Sequence, residues 1–292
     1  MHSYLRAVGF SDISKKDLYR LLDDVIHNYD EKIIVDEDDN HRLFAEMSKS
    51  FGYDCGITVC GEYDENDEFQ MEYYFPFFRG TGITTREDVM VERRSEKENF
   101  SGACDDVRIG VTLIFYLANA GKYLKEKYAG NAGSQTSSVT LSALSAEGRI
   151  LLPIQKNIEQ MEKDRQFSTQ RAKLIADARN GSEEAMESLT MEDMDIYSMI
   201  SRRIEEEDVF SIVDTYFMPY GMECDRYNVM GEIVEQMETV NESTGEKLYQ
   251  LTIECNGVQF DVCINKKDLM GQPEIGRRFK GIIWLQGHVE FT

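Results

Sequence analysis

The chain has 292 residues, 41% hydrophobic and 11% aromatic, with 54 acidic against 32 basic side chains and a net charge of −22. That apolar content excludes intrinsic disorder, and the excess of acid disfavours nucleic acid and anionic membranes as partners. The charge is no tail: residues 1–152 hold 17 basic and 27 acidic side chains, residues 153–207 hold 8 and 13, and residues 208–292 hold 7 and 14.

The start, MHSYLRAVGF, lacks the apolar run of a signal peptide. Residues 109–118, the longest candidate membrane stretch, are about half of a spanning helix. Without an export signal, Cys55, Cys60, Cys104, Cys224, Cys255 and Cys263 are expected as reduced thiols. These features predict a soluble cytoplasmic protein, with length favouring two domains.

Ser14 and Asp17 resemble a capping box, and Leu18, Leu21, Leu22, Val25 and Ile26 form one helical stripe behind it. Acidic runs at 36–39 and 64–68 read as solvated turns flanked by strand-like sequence. Tyr53, Cys55, Ile57, Val59 and Tyr63 alternate with more polar residues, as do Phe69, Met71, Tyr73, Phe75 and Phe77. They predict an antiparallel hairpin with one buried face.

Val89 and Val91 mark a short strand. Residues 108–119 (RIGVTLIFYLAN) are apolar on both parities and predict a doubly covered strand, with a buried helix as the alternative. Residues 123–128 read as helix, 130–138 as a polar loop, and 139–152 as a second hairpin turning at Glu147-Gly148. Residues 154–207 are helical: Asn180-Gly181 stops one helix, Ser182 caps a short one, and Thr190 starts another.

From Val209 the period returns to 2. Tyr227, Val229 and Ile233 share a face, and Asn256-Gly257 predicts a tight turn between two strands. Residues 266–270 allow a short helix, and Phe279, Ile283, Leu285, Val289 and Phe291 form a last strand. The expected fold is α+β: an antiparallel-sheet domain at 1–153, a helical connector at 154–207, and a small β-barrel at 208–292, OB-like or SH3-like.

Several segments carry a family resemblance: MHSYLRAVGF, FPFFRGTGITT, GVTLIFYLAN, SIVDTYFMPYGMECDRYNVMGEI and FKGIIWLQG. Together they resemble an uncharacterised bacterial family, a domain of unknown function found in clostridial-type Gram-positive bacteria. The resemblance spans nearly the whole chain. It implies a bacterial cytoplasmic setting and brings no activity, cofactor or catalytic residue.

Cys55 and Cys60 have the spacing of a zinc pair, but their odd separation points them to opposite faces of a strand and no second pair follows. The runs beginning at Asp36 and Asp64 place His41 and Phe69 where an EF-hand needs glycine. No metal or cofactor is therefore expected. Cys104, in SGACDD, is the candidate nucleophile, although Asp105 and Asp106 oppose thiolate formation. His2, His27, His41 and His288 are the available bases.

Arg79, Gly80, Thr81, Gly82, Thr84 and Arg86 could cradle an anion, since glycines admit close approach, hydroxyls donate and two arginines flank the loop. The ordinary reading is a strand-exit loop. Lys266, Lys267, Arg277, Arg278 and Lys280, with Trp284 nearby, form a basic cluster in an otherwise acidic segment. It offers a protein partner surface or a single-strand groove.

The leading expectation is a non-catalytic cytoplasmic protein that binds a ligand, a partner or itself. The alternative is an enzyme with a thiol or anion site near Cys104 and residues 79–86. Single-stranded nucleic-acid binding ranks third.

Overall fold

A computed structural model describes residues 2–37, 42–94, 99–106, 108–109, 111–129, 136–154, 158–204 and 209–291. A 3₁₀ turn at Ser3–Val8 precedes helix α1, Lys15–His27. The Ser14 hydroxyl accepts the Asp17 N–H, and Leu18, Leu22 and Val25 are buried, as the capping and stripe patterns require. Four antiparallel strands then pair in chain order: β1 (Glu31–Glu37), β2 (Arg42–Gly52), β3 (Cys55–Tyr63) and β4 (Phe69–Phe78). The β3–β4 turn is tied by Asp64, whose carboxylate accepts the N–H groups of Asn66 and Glu68.

The second sheet has ten strands. Its first three are β5 (Val89–Arg93), β6 (Phe100–Asp105) and β7 (Thr112–Leu117), followed by helix α2 (Ala120–Tyr128) and β8 (Thr136–Leu151). Helices α3 (Ile158–Arg179), α4 (Glu183–Ile204) and α5 (Val209–Ile212) come next. The chain then returns to the sheet as β9 (Tyr216–Pro219), β10 (Arg226–Val240), β11 (Lys247–Cys255), β12 (Val258–Asn265), β13 (Leu269–Met270) and β14 (Arg278–Phe291). The α+β class holds, with sheet dominant.

Four expectations are corrected. Residues 139–152 do not form a hairpin: β8 runs straight through Glu147-Gly148, paired with β14 from Thr136–Phe291 to Leu151–Arg278. Gly148 serves close packing instead of a turn, because a Cβ there would lie 2.6 Å from the Phe279 ring. The strand slips register near Ser145 and Glu147, where the Ser145 hydroxyl donates to the carbonyls of Glu147 and Ile282.

Residues 208–292 also do not close on themselves as a small barrel. β12 and β14 do not pair with each other; β8, from the amino-terminal half, lies between them, parallel to β12 and antiparallel to β14. β14 further pairs with β7, so strands from 1–153 and 208–292 share one sheet and one buried core. The reason is burial on both faces. Leu141, Ala143 and Leu144 of β8 are covered on either side, which a free edge strand could not provide.

The connector is two long helices of 22 residues each, not a series of short ones. Gly181 (φ +89°) and the Ser182 cap act as expected, but Thr190 lies inside α4 and donates to the Met186 carbonyl. Residues 209–212 are helical before the strand period resumes. Residues 112–117 are strand, which resolves the open choice. Asn256 (φ 53°) and Gly257 (φ 78°) make the tight β11–β12 turn.

Buried polar side chains join the two sheets. Gln286 of β14 accepts the Phe78 N–H at 3.1 Å and donates to the Pro76 carbonyl at 2.8 Å, while Ser142 of β8 donates to the Phe78 carbonyl. They complete the edge of β4, whose backbone would otherwise be buried unpaired. The Phe115 ring fills the space above two glycines: a Cβ at Gly102 or at Gly287 would come within 2.3 Å of it. Gly287→Ala is expected to cost about 1–3 kcal/mol through overpacking. Phe115→Leu should recover part of the loss in a double-mutant cycle followed by urea denaturation.

Candidate functional site

The loop after β4 does hold an anion, and the anion is the protein's own. The Asp261 carboxylate of β12 accepts the Thr81 N–H at 2.5 Å and the Thr81 hydroxyl at 2.9 Å. Its other oxygen accepts from Thr252. Gly80 is closely packed, since a Cβ would meet the Leu141 carbonyl at 2.8 Å. Gly82 takes φ +73° and accepts from Thr140, and the Thr84 hydroxyl accepts the Leu141 N–H. Arg79 leaves the loop to pair with Glu31 at 2.6 Å and lie over the Phe77 ring. Arg86 is exposed.

Cys104 is buried on β6 between Val89 and Leu113. Burial pushes its thiol up to about 12, and the charges of Asp106, Asp105 and Glu87 add to the rise. Asp106 is itself engaged by Arg108, which also donates to the Thr84 carbonyl and so links this strand end to the loop. The structure thus brings Cys104 toward the distal half of the loop but sets none of the described histidines beside it. His2 packs tilted against Trp284, His27 ends α1 beside Asp23, and His288 lies on β14 opposite Thr140. His41 lies outside the described residues.

The basic cluster is dispersed and paired. Lys266 bridges to Glu238 at 3.0 Å, Lys267 to Glu246 at 2.7 Å and Arg277 to Glu274 at 2.9 Å, while Lys280 lies over the Phe210 ring. Arg278 is buried and donates to the carbonyls of Leu152, Phe210 and Val213, clamping both roots of the helical segment. Trp284 is buried as well: its N–H donates to Asp225, which also holds Arg94 at 2.6 Å. His2, Tyr4 and Tyr116 pack around its ring. A groove combining Arg277, Arg278 and an accessible Trp284 is not formed.

Two surfaces escaped the sequence reading. A cleft of about 470 Å³ lies between α1, the turn before it and the β10–β11 loop, floored by Phe10, Ile13 and Leu21. Its carboxylates are largely engaged: Asp17 by Ser14 and Arg20, Asp24 by Lys49, Glu246 by Lys267 and Ser11. The second surface is the helical arm. α3 and α4 pack on each other, joined by Arg171 to Glu192 and Asp193, and neither packs along a sheet beyond isolated contacts. Ala185, Leu189, Glu192 and Ile196 form the covered side of α4. The rest of the circumference exposes Met186 (45%) on the flank and Met191 (68%), Met194 (66%) and Tyr197 (75%) farther round. The signal was present as apolar residues on two faces of α4, but only packing decides which face is covered.

A family model described as "Domain of unknown function, E. rectale Gene description (DUF3881)" matches residues 5–287. The chain belongs to this family. Its description names no activity. Comparison with curated proteins and with solved structures gives no match. No described helix is long and apolar enough to cross a membrane.

One buried acid stands apart from these ion pairs. Glu46 of β2 sits beneath α2, accepting the Gly121 N–H at 3.0 Å. Burial raises its carboxyl to about 7, against the opposing pull of that hydrogen bond and of Arg79. The folded value exceeds the ordinary 4.5, so the contribution to stability is complete at low pH and is lost as pH rises from about 4.5 through about 7. Glu46→Gln keeps an acceptor for Gly121. It should stabilise the protein by about 3 kcal/mol at pH 8 and have little effect near pH 4, measured by urea denaturation at both.

Thiol accessibility gives a second check. Cys224 is exposed and the other five cysteines are buried. Ellman's reagent at pH 8 is expected to modify one thiol rapidly in the native protein, and Cys224→Ser should abolish that phase.

Proposed function

We propose that this family member is a non-catalytic interaction protein of the bacterial cytoplasm, built as a sheet globule that presents a helical arm. The arm carries the reading. Two 22-residue helices add little to the core, yet α4 keeps Met191, Met194 and Tyr197 largely exposed on the side away from α3. Ordering so many residues costs conformational entropy, and an apolar helix face left in water recovers none of it until a partner covers it. Arg278, bonded at both roots, orients the arm on the globule.

Internal pairing of the other candidates supports the same reading. Asp261 occupies the loop donors, carboxylates neutralise most of the basic cluster, and the Cys104 thiol is raised and buried. The cleft beside α1 favours a second role, the binding of a small polar ligand over the apolar floor of Phe10, Ile13 and Leu21.

Met194→Gln combined with Tyr197→Ser should leave the melting temperature within about 2 °C of wild type, because both side chains are exposed. Capture from host extract, quantified by mass spectrometry, should lose a partner by roughly tenfold or more in this variant. Identical captured sets would refute the proposal.

A further inference from the structure

We infer that the outer face of α4 docks a basic amphipathic helix supplied by another protein. This rests on the interaction reading of the arm and adds the class of partner. Met186, Thr190, Met194 and Tyr197 follow one another at spacings of four, four and three residues, with Met191 beside them. Such spacing lines up one side of a helix over about 16 Å, the footprint of a second helix laid along it. Methionine thioethers adapt to the shape of an apposed apolar side chain, and tyrosine adds a large rigid surface with a polar tip.

Charge selects the partner. Along the methionine stripe, from Glu183 to Ser201, α4 holds Glu183, Glu184, Glu187, Glu192, Asp193 and Asp195 and no lysine or arginine; its two cations, Arg202 and Arg203, lie in the last turn beyond Tyr197. Arg171 engages Glu192 and Asp193 on the side toward α3. Among the described residues, Glu183, Glu184, Glu187 and Asp195 have no cationic partner. At 100° per residue, Glu183 and Glu187 fall within the methionine stripe, and Glu184 and Asp195 fall along its margin. An occupant therefore has to bring apolar residues at helical spacing with lysine or arginine among them and along one flank. A second copy fails this requirement, since it presents the same acids on a chain of net charge −22. An anionic membrane fails it for the same reason.

The test uses the full-length protein and two labelled synthetic peptides of about 18 residues, each made of leucine and lysine in equal number. In one, the leucines form a helical stripe; in the other, the same residues are scrambled so that no face forms. Fluorescence anisotropy at about 0.15 M salt is expected to show the amphipathic peptide binding roughly tenfold more tightly. Met194→Gln with Tyr197→Ser should weaken the amphipathic peptide roughly fivefold or more while leaving the scrambled one unchanged. Glu187→Lys with Asp195→Lys should weaken both.

Equal affinity for the two peptides, or indifference to Met194→Gln with Tyr197→Ser, overturns the inference. Sedimentation showing a wild-type dimer that this same variant dissolves would assign the face to a second copy. That result would overturn the basic-helix partner and leave the interaction reading of the arm standing. Loss of a captured host partner by the variant, with no discrimination between the peptides, would have the same effect.

Discussion

Strand β8 is paired along both edges, and the rest of the molecule depends on that constraint. On one side it runs antiparallel to β14 over nearly its full length; on the other, Ser142 to Ser145 run parallel to Asp261 to Ile264 of β12. A strand held this way cannot exchange its partners without exposing two rows of backbone groups. The carboxy-terminal strands thus need a strand from the amino-terminal half. Ser142 and Gln286, on the two sides of the β8–β14 pairing, then reach β4 and bring the first sheet against the second.

The buried polar groups follow one pattern: side chains distant in sequence complete each other's hydrogen bonds. Asp261 is held by Thr81, Asp225 by Trp284 and Arg94, and the backbone carbonyls at the arm's roots by Arg278. Groups that look reactive in isolation spend their bonding capacity internally, where an unmade bond would cost about 1–3 kcal/mol. The arm is the opposite case. Its outer side exposes Met191, Met194 and Tyr197, with acids among and beside them that have no cationic partner among the described residues.

Local features were legible where the signal was local. The Ser14 cap, the α1 stripe, the β3–β4 pairing and the Asn256-Gly257 turn each rest on residues within a few positions of one another; the single buried face expected of that hairpin is not found, since β3 is buried on both faces from Cys55 to Gly61. Glu147-Gly148 misled because glycine has two uses. The turn reading assumed freedom of φ, whereas the strand needed the absence of a Cβ beside Phe279. Thr190 misled for a related reason, since a hydroxyl that can cap a helix can also bond back inside one. At the candidate site, Arg278 and Trp284 read as surface residues by their neighbours in sequence, and their burial depends on carbonyls and a carboxylate from distant segments.

By itself the sequence determined the α+β class, the places where strand and helix periods alternate, the acidic surface and the family. Those properties depend on composition and on spacing along the chain. The tertiary structure alone decided that β8 divides the carboxy-terminal strands, that Asp261 fills the anion loop, and that one face of α4 is covered while the other is left open. These outcomes depend on pairing between residues far apart in the chain, which no periodicity encodes.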